Sequence, residues 1–216
     1  MNQGFLYSIY SKDGKPNNSF ENQFLISIDS LKNILPNCSI CLHTNIKINK
    51  SAFPKIDFLI YDQDMPKKNI CKAYGLLQSP YKKTIFLDCD ILVHREIIQD
   101  IFIVLDEFDF ACCYGNYWER GTIFPDLNTG ILGVRNNFFT KREIERWIKD
   151  FQDNNMESDQ KHFREIFMRN KKKFHVLPWW FQNRAEHFID YKKNTVVTHS
   201  REMNKDSTIQ NIKKHL

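Results

Sequence analysis

The chain has 216 residues, 42% of them hydrophobic, enough for one domain with a substantial core. With only 7 Gly and 7 Pro, collagen-like and low-complexity classes are excluded. The formal net charge of +5 comes from scattered basic residues rather than a dense stripe, which argues against nucleic acid and for a phosphate-bearing substrate or, at most, peripheral contact with an anionic membrane surface.

The longest basic run, Lys171-Lys172-Lys173, reads as a solvated face. Met1–Tyr10 is too short and too polar for a signal peptide, and no apolar stretch reaches the ~20 residues of a membrane span. The expected location is therefore cytoplasmic. The 6 cysteines should then be reduced, and the lone Cys38-x-x-Cys41 lacks the second pair that a structural zinc site needs. No linker interrupts the sequence, so residues 1–216 are read as one domain.

The first half alternates strand and helix. Gly4–Tyr10 is predicted to be a strand. Glu21–Leu35 carries Phe24, Ile28, Leu31 and Leu35 at helical spacing, with Ser19 as cap and Pro36 as stop. Strands follow at Ser39–His43 and Asp57–Tyr61, a helix at Asn69–Leu77, and a continuous apolar strand at Lys83–Leu87. Short apolar strands between helices indicate an α/β fold, with a mostly parallel central sheet flanked by helices. Ligands in such sheets bind beyond the carboxyl ends of the strands. The second half is less regular. Strands are predicted at Phe108–Tyr114, Leu127–Arg135, Phe174–Leu177 and Thr195–Thr198. Helices are predicted at Lys141–Phe151, Ser158–Arg169 and Ser207–His215, and Cys112 and Cys113 read as core.

The segment directly after Leu87 carries the chemistry. Asp88 and Asp90 stand one residue apart between apolar runs. Two charges inside an apolar segment are costly unless paired or metal-bound. Carboxylate oxygens suit hard cations such as manganese or magnesium, whose remaining positions are often filled by substrate phosphates.

Lys83-Thr84-Ile85-Phe86-Leu87-Asp88-Cys89-Asp90 resembles the D-x-D region of nucleotide-diphospho-sugar glycosyltransferases of the GT-A fold. Other segments match in the family's order. Ser27–Lys32 with Leu35-Pro36 is similar to its first helix, and Lys72 to a basic position upstream of the acid pair. Leu127–Gly133 is similar to its N-x-G segment and Ser158-Asp159-Gln160 to its D-Q pair. Val176-Leu177-Pro178, with Phe181 and Asn183, is similar to the strand that follows. The likeness covers most of the chain and leans toward the retaining, family 8 group. Near the end, Thr198-His199-Ser200-Arg201 replaces the family's His-containing stretch and lacks its Gly.

The resemblance implies transfer of a hexose from a nucleotide-diphosphate sugar, by default UDP-linked, to a glycan or lipid-linked acceptor. It implies Asp88 and Asp90 as metal ligands, with Asp88 also near the ribose, and His199 as the third ligand in preference to His94. Asp159, Gln160 and Asn128 are the implied catalytic positions. Tyr7 and Ser8 would meet the nucleotide, Tyr7 by stacking on the base, or else Tyr7 is a core aromatic. Asp62 would touch base or ribose, or simply form a turn. Lys72 would add positive charge near the phosphates, or else lie on the surface. Gly130 would let the backbone approach the substrate. Tyr117, Trp118, Trp179 and Trp180 are candidate acceptor surfaces, though aromatic pairs more often belong to the core. The alternatives are a haloacid-dehalogenase-type phosphatase, whose second acidic motif is missing, and a non-catalytic sugar-nucleotide-binding module.

Overall fold

Strand and helix alternate from the N-terminus because apolar residues recur first at strand spacing and then at helix spacing. The computed structural model describes residues 1–11, 18–66, 69–115, 127–153, 159–184 and 195–199. In chain order these form β1 (Gln3–Ile9), α1 (Asn18–Ile34), β2 (Ile40–Thr44), β3 (Phe58–Tyr61), α2 (Cys71–Gln78), β4 (Lys83–Leu87) and β5 (Ile91–Val93). Then come α3 (Ile101–Glu107), β6 (Phe110–Tyr114), β7 (Leu127–Arg135), α4 (Phe138–Asp153), α5 (Asp159–Arg169), β8 (Phe174–Leu177), β9 (Gln182–Arg184) and β10 (Val197–His199).

Seven strands form the main sheet in the order β3-β2-β1-β4-β7-β6-β8. The pairs β3–β2, β2–β1, β1–β4 and β6–β8 are parallel. Only β7 runs against its neighbours β4 and β6. The expected mostly parallel sheet is therefore present, with one reversed strand. A second sheet, β5-β10-β9, stands apart.

Each face of the main sheet carries its own core, and the alternation of side chains decides which. Phe5, Tyr7, Ile9, Ile85 and Leu87 join Phe24, Ile28 and Leu31 of α1 and Ile101 and Leu105 of α3. Leu6, Phe86, Cys112 and Leu132 join Ala73 and Leu76 of α2, Trp147 of α4 and Phe163 of α5. Cys112 and Cys113 are buried as expected, one in each core. Burying a side chain of Leu or Phe size contributes about 1.5–3 kcal/mol, so these two layers supply most of the stabilisation.

Most sequence-predicted elements are present, with ends shifted by a few residues. α1 begins at Asn18, so Ser19 lies inside the helix and not at the position before its first residue. β5, α3 and β9 escape the sequence reading: β5 and β9 are three residues each and α3 is seven, too short to display a period. The predicted Ser207–His215 helix lies outside the described residues. Among the described residues, no helix is long and apolar enough to cross a membrane.

The topology also fixes where a ligand can enter. From β1 the chain moves outward to β2 and β3, and β4 then returns to the other side of β1. The β1/β4 junction is thus a switch point, and its carboxyl end is an open crevice.

Candidate active site

Leu87 pairs with Ile131 at the end of β4, and the Asp88 N–H donates to the Gly130 carbonyl (2.9 Å). The acid segment therefore leaves the sheet alongside the start of β7. Asp90 is followed at once by β5, whose Ile91 pairs with His199 on β10. This antiparallel pairing returns His199 to the acids. The His199 Nε2–H donates to Asp90 Oδ1 (2.9 Å), and Asp88 Oδ2 lies 3.9 Å from the same nitrogen. One ligand atom from each of Asp88, Asp90 and His199 falls within 4.8 Å of the others. An O,O,N donor set of this kind fits a manganese or magnesium ion.

Behind the acids sits Lys72, in the first turn of α2. It is buried, with its Nζ 3.1 Å from Asp88 Oδ1 and 3.3 Å from Asp159 Oδ2. Nζ also donates to Thr129 Oγ1 (3.2 Å), whose hydroxyl donates to Asp159 Oδ2 (2.8 Å). The surface-lysine alternative is thereby overturned. Burial works against the ammonium, but Asp159 and then Asp88 outweigh it, so its pKa stands above the usual lysine value. Burial raises the Asp88 carboxyl, and Lys72 and His199 offset part of that rise. Burial also acts on Asp90, but there the His199 hydrogen bond and charge win and hold the carboxyl below its usual range.

These groups line a cleft of about 540 Å³, together with Ser8, Gln160, Gln23 and Asn69. Lys72 is its one ammonium among the described residues, facing the carboxylates of Asp88, Asp90 and Asp159. With histidine neutral the wall carries two excess negative charges. An anionic diphosphate enters such a wall only with a cation to offset them.

Several sequence-predicted residues lie elsewhere. Tyr7 is fully buried, its hydroxyl on Ser27 Oγ (3.1 Å) and its ring edge-on to Phe24. Odd-numbered residues of β1 face α1, so Tyr7 is core and stacks on no base, whereas its neighbour Ser8 faces the cleft. Asp62 is outside the cleft wall. It accepts from Gln78 Nε2 (2.8 Å) and from the Asp64 N–H (3.1 Å), and lies 3.3 Å from His43 Nε2. That fits the turn reading. His43 in turn reaches Ser8 Oγ (3.4 Å) through Nδ1.

Asn128 is buried, and its Oδ1 accepts from the Gly130 N–H (2.6 Å), so its side chain is engaged by backbone rather than facing the cleft. At Gly130 the space left by the missing side chain is filled by His199: a Cβ there would stand 2.8 Å from its Cε1 and 2.9 Å from its Nδ1. His94 is occupied by Thr198 Oγ1 (2.9 Å), and burial pushes its pKa down to about 4. Trp180 is exposed. Tyr117, Trp118 and the side chain of Trp179 lie outside the described residues. Sequence reasoning missed Thr129 and His43, polar residues inside largely apolar strands, and Gln182, in a three-residue strand too short to show a pattern.

No family model matches the sequence, and no curated protein matches it. Solved structures do. The fold is similar to glycosyltransferase GlyE from Streptococcus pneumoniae TIGR4, with a TM-score of 0.68 and 15% identity, over 92% of this chain and 54% of that one. The chain thus spans about half the length of GlyE. Galactosyltransferase LgtC, solved with donor and acceptor sugar analogues, gives a TM-score of 0.63 at 14% identity, over 97% and 94% of the two chains. Mouse xyloside xylosyltransferase 1 gives 0.62 at 12% identity, over 93% and 98%. The chain has the GT-A glycosyltransferase fold.

Proposed function

We propose that residues 1–216 form one glycosyltransferase domain that moves a hexose from a nucleotide-diphosphate sugar, UDP-linked by default, to a hydroxyl of a glycan or lipid-linked acceptor in the cytoplasm. The observation that carries this reading is the convergence of Asp88, Asp90, His199, Lys72 and Asp159 on one cleft at the β1/β4 switch point. The excess negative charge of that cleft, in a fold shared with sugar transferases, matches an anionic donor that arrives with a divalent cation.

Asp88, Asp90 and His199 are the residues that would hold manganese, or magnesium in its place. Bound there, the ion supplies positive charge against the diphosphate leaving group. The protein's own groups do the rest. Lys72 fixes Asp88 and Asp159 by ion pairs, which presets the cleft without a search over rotamers. Gln160, at the start of α5, presents an amide to the cleft, able to hydrogen-bond sugar hydroxyls. Asp159 is held by Thr129 and Lys72 and so offers a fixed carboxylate to the sugar rather than a free base. That arrangement favours retention of anomeric configuration, since inversion needs a carboxylate available to deprotonate the acceptor.

The test is manganese-dependent release of nucleoside diphosphate from a panel of nucleotide sugars. Asp90→Ala is expected to abolish it while the protein stays folded. Turnover that persists in Asp90→Ala or in chelator rejects the metal-dependent reading. Inorganic phosphate released from phosphosugars would point to a phosphatase, and binding without turnover to a module. An inverted product seen by NMR would overturn retention.

A further inference from the structure

Gln182 of β9 occupies the side of His199 away from the acids. Its Nε2 lies 2.8 Å from His199 Nδ1, while the opposite ring nitrogen faces Asp90 at 2.9 Å. Both residues are buried, at 5% and 7% exposure. Gln182 Oε1 is also buried and has no hydrogen-bond partner among the described residues.

An imidazole–amide hydrogen bond has a direction. Neutral histidine carries one N–H, so a donor on Nδ1 places the ring proton on Nε2. In the geometry seen here, the amide N–H donates to Nδ1 and Nε2–H donates to the Asp90 carboxylate. That is the arrangement of a metal-free site. A cation at Nε2 needs the lone pair there, so the proton must move to Nδ1. Nδ1–H then requires an acceptor in place of a donor. The partnerless Oε1 of Gln182 becomes that acceptor when the amide turns over. Which way the amide faces is then set by where the His199 ring carries its proton. A glutamine suits this place because one side chain supplies both a donor and an acceptor.

We propose that Gln182 is the positioning residue of the metal centre: it donates to His199 Nδ1 when the site is empty of metal and accepts from Nδ1–H when metal is bound. The proposal rests on the reading of Asp88, Asp90 and His199 as metal ligands. Gln182 touches neither metal nor substrate, and acts only through His199.

The experiment measures manganese affinity of the full chain by electron paramagnetic resonance of free Mn²⁺, without nucleotide, for wild type, Gln182→Leu, Gln182→Glu and His199→Ala. Melting temperature is recorded for each variant to separate folding from binding. Gln182→Leu removes the acceptor and is expected to weaken binding about 10–100-fold, the usual effect of losing such an outer partner. Gln182→Glu keeps only acceptors and is expected to match or exceed wild type. A purely structural role would weaken both variants alike. His199→Ala is the control for the underlying reading: wild-type affinity there removes the metal assignment, and this proposal with it. If His199→Ala loses affinity while Gln182→Leu binds like wild type, or Gln182→Glu falls together with Gln182→Leu, the role of Gln182 is refuted and the metal assignment stands.

Discussion

Lys72→Met tests whether the buried ammonium holds the site together. The side chain is 8% exposed and faces Asp88 (26% exposed) and Asp159 (6% exposed). Breaking a buried ion pair by removing one partner costs about 3–5 kcal/mol, because the other charge is left uncompensated. Asp88 keeps some water, so the two partners do not double that figure. Methionine retains the aliphatic stem but loses the ammonium 5.4 Å above the Phe86 ring, worth roughly another 0.5–2 kcal/mol. A loss of about 4 kcal/mol lowers the melting temperature of a chain of this size by about 8–16 °C. The pH dependence has a definite sign. The folded pKa of Lys72 is raised, so its contribution is fully present below ~10.4 and lost as pH rises through the folded value. In the variant, Asp88 loses a group that offsets its raised pKa, so proton uptake by Asp88 relieves part of the defect. The gap between wild type and variant is expected to be larger at pH 7.5 than at pH 5. Urea unfolding at both pH values measures it. A variant within about 1 kcal/mol of wild type at pH 7.5 falls outside the range for a broken buried pair and refutes the argument.

At the opposite end of the sheet, Asp109 is 1% exposed and accepts from Arg135 Nε (2.9 Å) and Nη2 (2.6 Å) and from Asn137 Nδ2 (2.7 Å), with Lys173 Nζ at 3.2 Å. Burial raises its carboxyl, but these partners hold it below the usual range. Its stabilisation is therefore present above ~3.9 and lost as pH falls through the folded value. Asp109→Asn is expected to cost about 3 kcal/mol in neutral urea melts and to flatten the acid limb of the stability profile. Gly130→Ala places a methyl against the His199 ring in a central strand, and is expected to cost about 1–3 kcal/mol and to weaken manganese binding, read by calorimetry. His94→Ala is expected to leave manganese affinity unchanged, because His94 is engaged by Thr198, whereas His199→Ala abolishes it. Titration of both variants in parallel decides between them.

The main sheet was legible because β4 and its neighbours are continuous apolar runs bounded by helices, and the acid pair because two carboxylates directly after Leu87 break such a run. His199 was placed near the acids by resemblance and by the β-branched residues before it. Its neighbours were not foreseeable. Gln182 acts from a three-residue strand, and Thr129 is one hydroxyl in an apolar strand. Tyr7 shows the limit from the other side. A strand alternates faces, and a one-residue difference separates the cleft wall from the core. Sequence alone could not say which parity of β1 pointed to the ligand, because both faces of this sheet are apolar. Lys72 was undecided for a similar reason: its partners, Asp88 and Asp159, come from other elements.

With Asp88, Asp90 and His199 as the proposed ligands, the small sheet would couple ion binding to strand docking. Asp90 and His199 lie far apart in the chain, and the β5–β10 ladder brings them together through six residues in three pairs. Ladders this short open more readily than the long pairings of the main sheet. The apparent dissociation constant of the ion is then the intrinsic constant divided by the fraction of molecules in which β10 is seated. Metal saturation, by the same linkage, closes the ladder by mass action. Amide protons of Leu92 and Thr198, the hydrogen-bonded pair of that ladder, should slow their exchange when magnesium is added, while those of Ile85 in the main sheet keep their rate. On the proposed ligand set the ion would be a clasp for one corner of the fold, and its grip a gauge of how tightly that corner is shut.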